Sequence, residues 1–419
     1  MNYLFIHQNF PGQYKNIVRH LVDRGDRVVF LSQPNENRMA GVRLLAYRPA
    51  RAVTPGIHHY IRDYEAAILN GQAVLRACMA LKARGFRPDI VVGHVGWGEM
   101  SFVKDVWPDV PVLGYFEFYY RLAGSDVGFD PAVPATIDDG PRLRAKNSIT
   151  ALALDGVDWG QTPTRWQWSR FPDHARSRIT VLHEGIDTAL VRPDPTARFV
   201  VPEAGIGFRP GAPVVTYLAR GLEPYRGFPS FMRALPAVLR RRPDAHVLIA
   251  GQDDVFYGRR HPSGRSHVQA MLDELGGRID RNRVHFLGRI SYERHLSLLA
   301  VSAVHVYLTY PFVLSWSMLE AMSAGCLVVG SATPPVAEVI TEGETGLLAD
   351  FHDPAAIAER ILEGLADPAR FAGVRRAART LIAERYDFRS VVLPRYEALL
   401  ATLIRGDRPA ENADCRPLA

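Results

Sequence analysis

Apolar residues along the chain fall into short continuous runs, separated by longer stretches with the periodicity of helices. This alternation predicts repeated strand–helix–strand units around a parallel sheet. The first series places strands at 3–7, 27–31, 89–92, 112–115, 159–161 and 179–182, with helices at 13–24, 60–84 and 142–154. A second series places strands at 214–218, 246–250, 284–287, 305–308, 327–329 and 346–348. Between the two, residues 192–213 hold Pro193, Pro195, Pro202, Pro210 and Pro213 without periodicity, which reads as an interdomain linker. The expected organisation is a first domain over 1–195, a linker over 196–213 and a second domain over 214–388. Helices at 354–365, 370–383 and 391–403 follow the last strands. Segment 389–419 then supplies a C-terminal helix, which caps the second domain or returns to the first, and a polar, poorly ordered tail from Arg405. The fold class is α/β, with two doubly wound Rossmann-like domains facing across a cleft at the carboxyl ends of their sheets.

Length supports that division, since 419 residues exceed what one ordinary core accommodates. The cysteines Cys78, Cys326 and Cys415 are far apart, odd in number and without metal spacing. They exclude a disulfide framework or zinc site and point to a reducing, cytoplasmic setting. The opening apolar run, 3–8, is too short for a signal peptide. The uncharged stretch 295–319 is interrupted by Ser297, Ser302, His305, Thr309 and Pro311, so it reads as helix, buried strand and loop rather than a membrane span. A net charge of +6 suits anionic partners such as nucleotide diphosphates or acidic lipid headgroups. With no basic run interleaved with aromatics, it gives no case for nucleic acid.

Several loops after strands carry candidate chemistry. Gly12, in Asn9-Phe10-Pro11-Gly12-Gln13, lets backbone approach a ligand at a helix N-terminus, although a Pro-Gly turn is often only a turn. His94 closes the strand before Val95-Gly-Trp-Gly-Glu99, and Glu117 ends the next one, so His94, Glu99 and Glu117 are candidates for one cleft. The plain alternatives are a histidine packed against Trp97 and a carboxylate satisfied by neighbouring tyrosines or arginines. In the second domain, Arg220 and Arg226 lie six apart on a loop entering a helix and can grip a diphosphate with their planar forks. A salt bridge between Arg226 and Glu223 is the plain alternative. Ser315 or Ser317 caps a helix reaching about Ala324, and Glu320 sits one turn in, placed to accept hydrogen bonds from ribose hydroxyls or simply to complement the helix dipole.

These residues give the chain a resemblance to glycosyltransferase family 4, extending from the first strand to about Tyr386. Arg220…Arg226-Gly227 resembles the family's Gly-Arg-Leu…Lys-Gly diphosphate loop, with arginine in the lysine position. Leu319-Glu320-Ala321-Met322, with Gly325 after it, resembles the second half of the Glu-x7-Glu motif. The segment 338–348 resembles the signature that follows, and His183-Glu184-Gly185-Ile186-Asp187 the hinge-side Asn-Gly-Val-Asp. The resemblance implies a GT-B fold and retaining transfer of a hexosyl unit from a UDP- or GDP-linked sugar to a hydroxyl acceptor. The departing phosphate would assist deprotonation of that acceptor. It further implies a catalytic part for His94, Arg220 and Arg226, and donor binding by Gly12, Val313, Leu314, Ser315, Leu319 and Glu320. Glu99 and Glu117 remain acceptor-side candidates. No cofactor and no metal are expected, because the arginines stand where a cation would. The sequence departs from the motif at Phe312, eight residues before Glu320, where the family carries the first glutamate. The rival readings are a GT-B nucleotide-sugar isomerase or epimerase and a catalytically weakened nucleotide-sugar-binding protein. Peripheral association with the inner membrane face is a further option left open by the charge.

Overall fold

The computed structural model describes residues 1–410. The chain divides into two units, one made of Met1–Gly185 with the chain from Phe388 onward, the other of Ile186–Asp387.

The first unit is built on seven parallel strands: β1 (Asn2–Ile6), β2 (Arg27–Ser32), β3 (Val42–Ala46), β4 (Ile90–His94), β5 (Val112–Tyr115), β6 (Trp159–Thr162) and β7 (Ile179–Val181). Their order is β3-β2-β1-β4-β5-β6-β7. The chain therefore winds outward from β1 in one direction, then crosses back to start at β4 in the other. Where two such neighbours are wound in opposite senses, loops separate and leave a crevice at the carboxyl ends of the strands. The central strands are apolar on both faces because helices cover both sides; β2 is buried at every residue after Arg27. The edge strand β3, which the apolar pattern does not predict, is only partly buried along its length. Helix Lys15–Asp23 turns Ile17, Val18 and Leu21 inward. Helix Leu393–Ile404 brings Tyr396, Leu399, Leu400 and Leu403 into the same apolar cluster as Phe5, Tyr14 and Phe30.

The second unit holds an antiparallel pair, β8 (Phe199–Val201) and β9 (Ile206–Phe208). Its main sheet has six strands: β10 (Val214–Gly221), β11 (His246–Gln252), β12 (Val284–Gly288), β13 (Val304–Tyr307), β14 (Leu327–Ser331) and β15 (Leu347–Ala349). The order β12-β11-β10-β13-β14-β15 repeats the doubly wound pattern, with the change of direction between β10 and β13. The segment expected to be a linker is instead part of this unit. Ala197, Phe199, Val201 and Phe208 are buried in its core, because prolines bound the short hairpin and leave its alternate residues free to pack. Residues 411–419, which include Cys415 and most of the predicted polar tail, lie outside the described residues. Cys78 and Cys326 are buried free thiols, each pushed up to about 12 by burial.

Candidate functional site

Each change of winding direction gathers polar side chains. In the first unit His7 follows β1 and His94 closes β4, so the two meet across adjacent strand ends, ring centroids 5.2 Å apart and nearly perpendicular. Both are buried, at 2% and 1% exposure. Nδ1 of His94 accepts the Gly96 backbone N–H at 3.0 Å, and Nδ1 of His7 accepts that of Asn9 at 2.8 Å. A neutral imidazole with an accepting Nδ1 carries its proton on Nε2, so the backbone fixes the tautomer of both rings. Burial, reinforced by the neighbouring His94, lowers His7 to about 3 and keeps it neutral. Nε2 of His94 lies 3.4 Å from Oε2 of Glu117, whose other oxygen accepts the Gln13 side-chain amide at 2.9 Å. Burial raises the Glu117 carboxyl, but the bond and charge of His94, with His7 and Gln13, outweigh it and hold the group below its ordinary value.

His94 and Glu117 are thus brought together, and the expected packing against Trp97 is present as well, its ring stacked 4.0 Å from the imidazole. Gly12 belongs to the same cluster: at φ +54, a Cβ there would lie 2.9 Å from the His7 ring. Glycine is required so that the turn can close over the imidazole. Glu99 is placed differently from expectation. It is fully buried, its Oε1 accepting the Tyr47 hydroxyl at 2.6 Å, and burial raises its pKa, so it faces the interior rather than an acceptor.

In the second unit β10 runs into the arginine loop. Residues Pro224–Arg226 form one turn, and helix Phe228–Arg241 starts after Gly227. Gly227 has φ +68, and a Cβ there would lie 2.4 Å from Leu308 Cβ, so only glycine lets the helix begin this close to the end of β13. The geometry sends Arg226 inward, to 7% exposure. Its Nη1 donates to Thr309 Oγ1 at 2.8 Å, to the Val313 carbonyl at 3.0 Å and to the Tyr307 hydroxyl at 3.2 Å. The guanidinium carbon stands 5.1 Å from the centre of the Tyr257 ring. Among the described residues no carboxylate pairs with Arg226; Glu223 turns away to backbone N–H groups instead. A buried cation without a carboxylate is costly unless an anion arrives to match it.

A cavity of about 460 Å³ opens in the same unit, lined by residues 218–220, 250–252 and 288–290 with Tyr292, His295, Ser315 and Ser317. That volume lies in the range of small-molecule sites. Arg220 is exposed on its wall with the guanidinium 4.2 Å from the Phe256 ring centre. Ser315 caps helix Trp316–Ser323 through its own side chain, as the sequence predicts. Arg379 Nη1 holds the far end of that helix at the Ser323 carbonyl, 2.5 Å away. Glu320 lies behind the wall. Tyr292 OH donates to its Oε1 at 2.7 Å, and His295 Nε2 meets its Oε2 at 2.9 Å. A carboxylate accepts about four hydrogen bonds, so Glu320 keeps lone pairs for a further donor while these two groups hold it in place.

The remaining donor candidates are placed less simply. The Ser315 N–H is occupied by the Tyr307 hydroxyl at 2.8 Å, and Val313 contributes its carbonyl to Arg226. Leu314 packs partly buried against the core, and Leu319 is fully buried within it, so the Leu319 side chain lines no cavity. Phe312 is buried edge-on between Tyr225 and Tyr257, with ring centres 5.6 and 5.4 Å away. His7, Gln13, Glu223, Tyr292 and His295 were not predicted. For Glu223 the sequence offers a signal, a carboxylate between two arginines, which nevertheless suggests the wrong partner. Among the described residues no group of three or more His, Cys, Asp or Glu side chains is gathered as a metal site. No helix there is long and apolar enough to cross a membrane.

The family model of the glycosyl transferase family 4 group matches residues 24–191, and that of glycosyl transferases group 1 matches residues 212–367. A GDP-mannose-dependent alpha-(1-6)-phosphatidylinositol monomannoside mannosyltransferase of Mycolicibacterium smegmatis is 30% identical over 60% of this chain and 63% of its own. A D-inositol 3-phosphate glycosyltransferase of Corynebacterium efficiens is 27% identical over 66% of this chain and 61% of its own. The match therefore spans a little over three fifths of the length of these two curated relatives. Among solved structures, Anabaena HepE in complex with UDP-glucose superposes with a TM-score of 0.68 at 16% identity, covering 96% of this chain and 100% of that one. Sucrose-phosphate synthase from Thermosynechococcus elongatus gives 0.67 at 18% identity, with coverages of 96% and 100%. At such identities the likeness establishes the fold, which is GT-B. With one model covering most of the first unit and the other most of the second, the chain joins a domain of the glycosyl transferase family 4 group to a domain of glycosyl transferases group 1.

Proposed function

We propose that this protein transfers a hexosyl unit from a nucleoside-diphosphate sugar, UDP- or GDP-linked, to a hydroxyl acceptor with retention of anomeric configuration. The observation that carries the reading is Arg226, a buried guanidinium that no carboxylate pairs with among the described residues, on the loop whose Arg220 lines a cavity of about 460 Å³. As the glycosidic bond to the diphosphate breaks, negative charge grows on the departing phosphate. A guanidinium already desolvated and oriented stabilises that charge more than the ground state, which lowers the barrier. Arg220, on the cavity wall, would take the outer phosphate oxygens, and Glu320 would accept from ribose hydroxyls while Tyr292 and His295 hold it. In the first unit the Nε2–H of His94 and the Glu117 carboxylate offer a donor and an acceptor 3.4 Å apart, suited to a sugar hydroxyl.

The names of the relatives support this reading, since one uses GDP-mannose and a structural neighbour was solved with UDP-glucose. The positive charge of the arginines replaces a metal, so transfer is expected in EDTA. The reducing cytoplasm suits the buried, unbridged Cys78 and Cys326.

A thermal-shift screen against UDP, GDP, ADP and their sugar conjugates, with divalent metal and with EDTA, tests the reading. Ligand at 100 times its Kd adds about 2.7 kcal/mol to the folded state. A shift with one nucleotide, unaffected by EDTA, followed by acceptor-dependent release of that nucleotide, is the expected result. Conversion of the sugar nucleotide without acceptor would identify an isomerase or epimerase, and binding without turnover on any acceptor would identify a binding protein.

A further inference from the structure

Glu223 lies between the two arginines of the diphosphate loop and is completely buried. A buried carboxylate ordinarily takes a cation as its partner. Here Oε1 accepts the backbone N–H of Phe256 at 3.0 Å and of Tyr257 at 3.2 Å, while Oε2 accepts that of Tyr257 at 3.1 Å and of Gly258 at 2.7 Å. Three consecutive N–H groups therefore satisfy the carboxylate, and neither arginine is neutralised by it. The segment held in this way carries the two rings that meet the arginines. The Phe256 centroid is 4.2 Å from the Arg220 guanidinium carbon, and the Tyr257 centroid is 5.1 Å from that of Arg226.

We propose that Glu223 is a positioning residue for the donor diphosphate: by anchoring residues 256–258 it sets the aromatic surfaces against which Arg220 and Arg226 lie. This rests on the nucleotide-sugar reading. A guanidinium held against a ring has its plane fixed before the ligand arrives, so less freedom is lost on binding and its N–H edge stays available to phosphate oxygens. A carboxylate aimed at the arginines would do the opposite, cancelling the charge that the ligand needs. Charge-assisted bonds to three backbone groups are strong enough to hold a loop with no regular secondary structure.

Calorimetric titration separates this role from general support of the fold. UDP, GDP, uridine and guanosine are titrated into the full chain and into its Glu223→Gln and Phe256→Ala variants. Both substitutions are expected to weaken the nucleoside diphosphate that the wild type binds by about tenfold. Affinity for the matching nucleoside should stay unchanged, because the nucleoside meets the Glu320 side of the cavity. Unchanged diphosphate affinity in a folded variant, or an equal loss for nucleoside and diphosphate, overturns the proposal. If Glu223→Gln does not fold, Phe256→Ala decides alone, since it removes a ring without stranding a buried charge. A wild type that binds neither UDP nor GDP removes the nucleotide-sugar reading and the inference with it, a result distinct from a variant that binds as the wild type does.

Discussion

The two units repeat one winding pattern and place polar groups at the same structural position, yet they balance charge in opposite ways. In the first, the Nδ1 atoms of His7 and His94 accept backbone N–H groups and Glu117 accepts the Gln13 amide, while the buried Nε2 of each histidine has no hydrogen-bond partner among the described residues. In the second, the buried carboxylate Glu223 is met by backbone N–H groups while the buried cation Arg226 has no anionic partner among the described residues. Buried ring nitrogens left unpartnered beside a carboxylate suit the reading of neutral hydroxyls. An unmatched buried cation carries a standing electrostatic cost that a phosphate would remove, which is the ground for proposing the second unit as the one that holds an anion. On that proposal the same fold supports two kinds of recognition, and the difference lies in where a few carboxylates point.

The sharpest way to break this comparison is Arg226→Met. Removing a buried, unmatched charge is expected to leave the melting temperature of the ligand-free protein equal or higher. The same change should weaken nucleoside diphosphate by a factor of about 100 or more, in line with roughly 2–5 kcal/mol for a desolvated charge pair. A fall in ligand-free stability with binding intact would show that the guanidinium is a structural prop.

The next largest effect is expected from His94→Ala, with turnover down about 100-fold as for loss of a positioned donor and affinity for UDP or GDP within twofold of wild type. Loss of nucleotide affinity in that variant would erase the division of labour between the units.

Acid stability probes both units at once. His7 in the first and His305 in the second are fully buried, and burial lowers each to about 3. The unfolded chain binds a proton at each site near the ordinary value of about 6.5, whereas the native state does not. The unfolded state therefore holds more protons, and stability falls as pH drops from about 6.5 toward 3. Each histidine contributes about 2 kcal/mol of loss between pH 7 and pH 5. Denaturant titrations across that range should show His7→Gln and His305→Gln each flattening the slope; an unchanged slope would mean that the site is solvated.

The smallest expected effect is that of Gly12→Ala. It forces a side chain into φ +54 and toward the His7 ring, and costs about 1–2 kcal/mol of stability. Thermal melting measures it, and turnover should fall further than stability alone accounts for, because His7 is displaced beside His94.

Much of this molecule is legible in its sequence. Strands of a parallel sheet buried on both faces must be apolar throughout, so β1, β2, β10 and β11 stand out as runs, and the helices between them by their periodicity. The edge strand β3 does not, since Val42–Ala46 is half-buried and mixes Arg43 among leucines. The hairpin of β8 and β9 is hidden by the prolines around it, which resemble a linker until its alternate residues are seen in the core. Among site residues, Arg220, Arg226, Ser315, Glu320, His94 and Glu117 follow from their positions at strand and helix ends, because those positions aim groups at the crevice of their own sheet. Leu319 and Glu99 share those positions and face the interior, since adjacent residues on a helix or turn point in different directions.

By itself the sequence determined the alternation of elements, the two doubly wound sheets and the loops that carry the chemistry, because these depend on local periodicity and on turn residues such as Gly227. The tertiary structure decided the pairing. Glu223 binds three backbone amides from a loop more than thirty residues away rather than the arginine three residues along, and His7 meets His94 from a strand that is its neighbour only in the sheet. Spacing along a chain states which groups are available. Which of them neutralise one another depends on desolvation and direction in the folded state, and that balance leaves Arg226 buried with no carboxylate partner among the described residues.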